Sequence, residues 1–338
     1  MDPLRKKTLR KRWLATSALI ALLAGGLTGC GRSVPPLPPQ DVISEARARM
    51  LAFHFGQAKT ILDQQAPHFP EDHPLYPEFL YLQALSNWHA VPPVPNDVRN
   101  AAVQLAEMAE AYPDHELAPN ALLYMGRIHD IRDFAGDEPD YPAARNAYQL
   151  ILERYPDHPV AADAAIRYGM TYVKQVAQPE EIAKGVAFIR SWYEENPETP
   201  MAPIITLFLG NMYDQFLGDR AQALQFYDKA SRLGFVNAGR AGVNLWRKAE
   251  LAIEVGLESL GKPIPPDGWS AWEFDGIPES YLQTAIKTCQ TIITEYPRSG
   301  RGYEALLVLR AIRESRPELE FEIPVLQLFE ISDAEDPS

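Results

Sequence analysis

Small and apolar residues recur at fixed distances before a series of prolines along this chain. The prolines are separated by 43, 43, 41 and 100 residues: Pro70, Pro113, Pro156, Pro197 and Pro297. Twelve residues before each proline stands a small residue: Ala58, Ala101, Ala144, Gly185 or Ala285. Eight residues before stand Leu62, Leu105, Tyr148, Ile189 and Cys289, and five before stand Gln65, Met108, Ile151, Trp192 and Ile292. The chain therefore contains an internal repeat, and the longest gap accommodates two units and an insertion.

The spacing of these positions is that of one face of an α-helix. Offsets of four and seven residues fall on the same side of a helix. The proline ends the helix, because it has no amide hydrogen to continue the hydrogen-bond ladder. Thirteen residues after three of the prolines stand Gly126, Gly169 and Gly210. Since a glycine inside a helix costs about 1 kcal/mol against alanine, its return predicts close contact between the two helices of a hairpin.

The pattern predicts an all-α fold made of helical hairpins. Helix pairs are expected near residues 41–66, 75–111, 116–154, 159–195, 201–233 and 237–295, with a closing helix near 299–315. His115 and His158 stand two residues after a repeat proline, and we interpret them as caps of the following helix, together with Asp114 and Asp157.

Part of this pattern resembles the tetratricopeptide repeat. Residues 209–213 read Leu-Gly-Asn-Met-Tyr, as in the first helix of that family, and Ala223, Tyr227 and Ala230 match the second helix. The period of 41–43 residues is longer than the usual 34 and is similar to that of envelope lipoproteins, among them the tetratricopeptide component of the outer-membrane β-barrel assembly machinery. The resemblance implies a right-handed superhelix, or α-solenoid, of about six hairpins plus a closing helix over residues 41–316.

The N-terminal segment has the pattern of an export signal. Six basic residues precede an uncharged run, residues 14–26, that is shorter than the roughly 20 residues of a membrane span. Leu-Thr-Gly-Cys at residues 27–30 resembles the lipobox of bacterial lipoproteins, which implies cleavage after residues 1–29 and acylation, as with palmitate, of Cys30. A plain signal peptide with a chance cysteine and an uncleaved signal anchor are the alternatives. The proline-rich stretch of residues 30–40 predicts a semi-rigid tether.

The lipobox resemblance also implies a location. Gly31 rather than aspartate follows the cysteine, which in diderm lipoproteins permits export to the outer membrane. We therefore expect a protein of the cell envelope, lipid-anchored at the outer membrane and facing the periplasm. The net charge of −13, from 45 acidic and 32 basic residues, opposes general nucleic-acid binding. The expected partners are envelope proteins or peptide segments, with the membrane reached through the lipid.

Two further segments interrupt or close the repeat array. Residues 261–278 form an insertion carrying Trp269, Trp272 and Phe274, which either fold back on the helices or await a partner. Residues 317–338 are expected to form a C-terminal cap followed by an acidic tail, because the last repeat must cover its open apolar face.

No catalytic or metal-binding motif is complete in the sequence. Residues 256–262 have the glycine and lysine spacing of a phosphate-binding loop, but Pro263 stands where Ser or Thr would bind Mg²⁺. A group of potential metal ligands lies in one turn without a second group to complete a site: His68, Glu71, Asp72 and His73. We therefore expect no enzyme activity, no catalytic residues, no metal and no cofactor.

The family resemblance places a binding groove along the first helix of each hairpin. Four positions around each repeat glycine are expected to face it: Asn120, Leu123, Arg127 and Asp130; Asp163, Ile166, Met170 and Val173; Ile204, Leu207, Asn211 and Asp214. Such a mixture suits an extended peptide or a partner helix, and it suits packing between repeats equally well. The predicted function is a scaffold that binds envelope proteins, in outer-membrane protein assembly or envelope maintenance. A surface lipoprotein that binds glycans or nutrients through its tryptophan insertion is the alternative, ahead of a peptidoglycan-active enzyme.

Overall fold

The computed structural model describes residues 35–175 and 178–326, which form thirteen α-helices and no β-strand. The helices are α1 (Pro39–Leu51), α2 (Phe55–Gln65), α3 (Tyr76–His89), α4 (Pro95–Ala111), α5 (Ala118–Asp130), α6 (Tyr141–Arg154), α7 (Val160–Gln175), α8 (Pro179–Glu195), α9 (Ala202–Met212), α10 (Arg220–Leu233), α11 (Ala238–Ser259), α12 (Glu279–Glu295) and α13 (Gly302–Ser315). The predicted all-α fold of six helix pairs and a closing helix is confirmed. The export signal, Cys30 and the tail from residue 327 lie outside the described residues, so those assignments stay predictions.

The aromatic-proline pairs mark where the second helix of a hairpin ends. Helices α4, α6 and α12 end at Ala111, Arg154 and Glu295, each directly before a Tyr-Pro pair. Several helices also begin with proline in their first turn, where the missing amide hydrogen has no intrahelical role. Asp140 and Asp219 cap α6 and α10, accepting hydrogen bonds of 3.0 Å from amides three residues on.

The chain divides into two compact units, Met1–Ala101 and Ala102–Ser338, and the boundary lies inside α4. In the first unit α1 packs on α2 and α3, and α2 packs on α3. In the second unit each helix from α5 to α13 packs against the next one along the chain. No helix in the described part of the chain is both long enough and apolar enough to cross a bilayer.

The positions counted from the repeat prolines form the buried face, as predicted. All residues twelve and eight before the prolines are buried, including Tyr148 and Cys289. Four of the five residues that stand five before a proline are buried as well. Trp192 is the exception, since it is only half-buried. This departure from the register marks the place where the second unit has an open cleft.

The repeat glycines lie where two helices approach closely, as their recurrence predicted. A Cβ atom on Gly126 would stand 2.5 Å from the ring of Tyr148 in the paired helix. A Cβ atom on Gly169 would stand 2.6 Å from the carbonyl oxygen of Gly185. Because real Cβ atoms do not approach other atoms so closely, only glycine fits at these crossings.

The insertion of residues 261–278 folds back on the helices, which decides between the two alternatives left open by the sequence. Trp272, Phe274 and Ile277 are buried in the same apolar core as α11 and α12, and Trp269 packs against that core while half-buried. The indole Nε1–H of Trp272 is buried without a hydrogen-bond acceptor among the described residues. The rings of the insertion therefore serve the core of the second unit.

Candidate protein-binding surfaces

Two of the predicted groove aspartates make contacts within the second unit. The Asp130 side chain is 0% exposed, and its Oδ2 accepts a hydrogen bond of 2.8 Å from the Tyr148 hydroxyl. The Lys174 ammonium lies 3.5 Å from Asp130 Oδ1, and the Arg167 guanidinium, which donates to Asp163 at 3.0 Å, lies 3.9 Å from Asp130 Oδ2. Burial, and then the negative charge of Asp130, raise the pKa of the Tyr148 hydroxyl, so Tyr148 stays a proton donor to this carboxylate.

A second polar cluster surrounds Arg247 of α11. Its guanidinium donates two bonds of 2.8 Å to the two oxygens of Asp214, and further bonds of 2.9 and 3.0 Å to Glu254. Burial works to lower the pKa of Arg247, but the hydrogen bonds to these carboxylates outweigh it and raise that pKa. Asn211, also predicted for the groove, accepts a bond of 2.6 Å from the Tyr227 hydroxyl, whose pKa burial raises to about 12.

The two clusters occupy equivalent places in the α5–α6 and α9–α10 hairpins. Asp130 and Asp214 each stand four residues after a repeat glycine, and each faces an arginine on the first helix of the next hairpin. Arginine and carboxylate on consecutive hairpins therefore fix the spacing of neighbouring repeats. The sequence left open whether these aspartates face a binding groove or pack between repeats. In the structure both make contacts between repeats.

The other predicted groove residues divide by exposure. Leu123 and Ile166 are buried, and three more pack against apolar core clusters while partly buried: Met170, Val173 and Leu207. Asn120 and Arg127 are half-buried, and Ile204 is exposed. The buried members fit the packing alternative, whereas a binding role for the accessible members stays a prediction.

Neither the potential metal ligands nor the cysteine of the described residues forms a reactive site. Among the described residues no three His, Cys, Asp or Glu side chains are placed to hold a metal ion. The Cys289 side chain is fully buried, and burial raises the pKa of its thiol to about 12. Such a thiol is almost wholly protonated at neutral pH and is a poor nucleophile.

Several exposed apolar side chains of the first unit lie in the connections between its helices, and the repeat pattern did not predict them. Leu51, Phe53 and Val91 are 82%, 82% and 87% exposed, and Val94 is also exposed. The Phe55 ring lies 6.4 Å from that of Phe53 and 4.9 Å from that of His89, which brings the α1–α2 turn beside the α3–α4 link. We call this surface the apolar ridge: Leu51, Phe53, Phe55, Val91 and Val94.

The turns that follow four of the repeat prolines share one hydrogen bond. The residue two after the repeat proline accepts a hydrogen bond from the backbone amide two residues further on, through His115, His158, Thr199 and Ser299 at 3.2, 3.3, 3.4 and 3.4 Å. These bonds lie within the turns and do not reach the second or third amide of the helix that follows, and α5 has no side-chain cap at its N-cap residue Leu117. The interpretation of His115 and His158 as helix caps is therefore wrong, and the two imidazoles stabilise the turns instead.

A tyrosine links two of these turns across the array. The Tyr155 hydroxyl, in the turn between α6 and α7, donates a bond of 2.7 Å to the carbonyl oxygen of Pro113 in the preceding turn. The next turn has Asn196 in place of this tyrosine, and its side-chain amide bends back to the Trp192 carbonyl at 2.9 Å. No ring at residue 196 therefore crosses to the turn at Pro156.

A cleft of about 390 Å³ opens between these two turns. One wall is the α6–α7 turn with Pro156 and Pro159, and the other is the α8–α9 turn with Pro197 and Pro200. The half-buried Trp192 ring also lines it. In the sequence, the signal for this cleft is Asn196, which precedes its repeat proline where the other four repeats have Phe or Tyr. That difference by itself indicates no binding site.

Comparison with known proteins adds two solved structures of low similarity. No protein-family model matches this chain, and no curated protein matches it. The structure of pilF from Pseudomonas aeruginosa is 14% identical, with a TM-score of 0.41 over 79% of this chain and 96% of that one. A tetratricopeptide repeat protein from Parabacteroides merdae is 13% identical, with a TM-score of 0.43 over 85% of this chain and 94% of that one. Both scores are below one half, so the fold assignment rests on the helices described above.

Proposed function

We propose that this protein is a scaffold of the bacterial cell envelope, which binds other proteins through its helical hairpins and is held at the outer membrane, facing the periplasm, by a lipid on Cys30. Outer-membrane protein assembly or envelope maintenance is the proposed setting. The observation that supports protein binding is the apolar ridge, and above all Phe53. The lipid anchor is supported by the sequence at residues 27–30.

Phe53 is unfavourable for the stability of the folded chain in its backbone conformation, and its side chain adds little stability. Its φ of 59° is the left-handed region, which costs a residue with a Cβ atom roughly 1 kcal/mol or more. Its ring is also almost entirely in water, so it gains little from burial. Strained backbone and exposed aromatic rings concentrate at binding sites, where a partner covers them.

The shape of the ridge favours one kind of partner. The exposed side chains come from two neighbouring connections, and the Phe53 and Phe55 rings lie edge to face with their centroids 6.4 Å apart. Aromatic side chains that protrude from a turn supply large contact area on a partner at little cost in conformational entropy. We therefore propose that the ridge packs against the apolar face of an amphipathic helix of an envelope protein.

Replacing Phe53 with asparagine is expected to raise stability and abolish partner binding. Asparagine tolerates the left-handed conformation, so the midpoint of thermal unfolding should rise by a few degrees. A photo-crosslinking amino acid at Leu51 of the full chain, expressed in its own cells, should attach to a defined envelope protein, and F53N should remove that product.

Val236, which is also exposed and apolar but belongs to the second unit, supplies the matched control. The V236N variant should keep the cross-linked product. The same product with F53N as with the unchanged chain would contradict the proposed role of the ridge. Attachment to lipid alone would assign the ridge to the bilayer surface and contradict a protein partner.

Replacing Cys30 with serine is expected to release the protein from the membrane. The unchanged chain should incorporate a palmitate analogue and sediment with outer membranes, because more than one acyl chain is needed for stable anchoring. C30S should lose both properties, and C289S should keep them, since Cys289 is buried in the helical core. Absence of label on the unchanged chain would refute the anchor while leaving the ridge proposal untouched.

A further inference from the structure

The cleft between the α6–α7 and α8–α9 turns has walls of a distinctive chemistry. The Trp192 ring and the prolines of both turns provide apolar surface. Three exposed carboxylates line the same cleft, on Asp157, Glu195 and Glu198, and its lining contains no lysine or arginine. None of these carboxylates forms an ion pair within the described part of the chain. An aromatic ring beside unpaired negative charge favours a flat, weakly hydrated cation.

We propose that this cleft binds an arginine side chain in an extended segment of a partner protein. The guanidinium would stack on the Trp192 ring, and its N–H groups would meet the carboxylates of Glu195 and Glu198. Arginine fits better than lysine, because a planar guanidinium stacks on an aromatic face and loses less hydration on leaving water. The cleft is open at its rim, so the peptide backbone on either side of the arginine lies along the proline turns.

The size of the cleft follows from the missing tyrosine. The ring of Tyr155 crosses from its own turn to the Pro113 carbonyl, and a tyrosine at residue 196 would cross in the same way to the Pro156 turn. Because residue 196 is asparagine, no ring fills the cleft between the two turns, and a ligand has room to enter it. The inference rests on the proposed scaffold function in taking a protein as the source of the arginine, but the apolar ridge plays no part in it.

The test uses the full chain in detergent, labelled with 5-fluorotryptophan, and the peptide acetyl-Arg-Arg-Arg-amide as probe. Fluorine NMR should show one tryptophan resonance that moves with added peptide, and W192F should identify it as Trp192. The citrulline peptide, which has the same shape without charge, should bind about tenfold more weakly, and the lysine peptide should be intermediate.

Two variants separate a specific site from the general attraction of an acidic protein for a basic peptide. N196Y fills the cleft without altering charge, and it should weaken binding about tenfold or more while the fold is kept. The triple variant D157N/E195Q/E198Q should weaken binding by a similar factor. The control E71Q/D72N/D114N makes the same change of charge on exposed carboxylates of other turns and should leave binding within about twofold.

Several results would overturn the proposal. They are equal binding of the citrulline peptide, unchanged binding by N196Y, equal loss with the control triple variant, or movement of a resonance other than that of Trp192. Each of these leaves cross-linking at the ridge unaffected, so failure of the cleft and failure of the scaffold function are distinguished.

Discussion

Replacing Gly185 with alanine is expected to lower the free energy of unfolding by about 3 kcal/mol. Its added Cβ would overlap the carbonyl oxygen of Gly169 on α7, and a Cβ on Gly169 would stand only 2.6 Å from the carbonyl oxygen of Gly185. A backbone carbonyl inside a helix cannot turn aside as a side chain does, so α7 and α8 must separate and open gaps along their contact. Urea unfolding followed by circular dichroism measures the loss.

Gly239 provides the control for this change within the same unit. A Cβ there would meet only the exposed side chain of Asn237, at 3.3 Å. Since alanine is the better helix former, G239A should leave stability unchanged or raise it by up to about 1 kcal/mol. Equal effects of G185A and G239A would contradict the close crossing of α7 and α8.

Replacing Arg247 with leucine is expected to lower the free energy of unfolding at neutral pH by about 3 kcal/mol or more. The side chains of Asp214 and Glu254 are only 9% and 10% exposed, and Arg247 donates hydrogen bonds to both. Glu254 keeps Arg220 at 3.1 Å, whereas Asp214 has no other ion pair within the described residues. The cost arises because carboxylates shielded from water are left without their cation.

The loss caused by R247L should shrink as the solution is acidified. Burial raises the pKa of the neighbouring Glu250, and the charge of Arg247 works against this rise. Without the arginine, Glu250 holds its proton more tightly in the folded state than in the unfolded chain. The penalty for its negative charge is therefore full at neutral pH and disappears below the pKa of an unfolded carboxyl group, at about pH 4.

Urea unfolding of R247L at about pH 7 and at about pH 4 measures this dependence. Adding D214N and E254Q to R247L removes the unpaired charges and should restore much of the loss at neutral pH. A loss that is the same at both pH values, or no restoration in the triple variant, would mean that Arg247 acts through packing alone.

The helices and their buried faces could be predicted from the sequence because both depend on local spacing. The tyrosine-proline pairs ended helices where expected, and residues such as Tyr148 and Cys289 took the buried positions that their distance from a proline required. The glycines were informative for the same reason, since Gly126 is tolerable in a helix only where another helix comes close.

The candidate sites could not be predicted in the same way, because they depend on residues far apart in the chain. The partner of Asp214 is Arg247, which is 33 residues away on another helix. Helical periodicity shows that an aspartate faces inward, but it does not show whether that aspartate binds a ligand or another residue of the same chain. The exposure of Phe53 depends on a backbone angle that no hydrophobic pattern reports. Asn196 was visible only as an imperfect repeat, and its meaning required the position of Tyr155.

The tyrosine that reaches from one turn to the carbonyl oxygen of the turn before has a consequence for how such arrays diversify. One codon decides whether the space between two neighbouring turns is filled or vacant, and the helices that flank it need not change. Gain or loss of a single aromatic ring can therefore close or open a cleft in such an array, while the flanking helices are inherited unchanged.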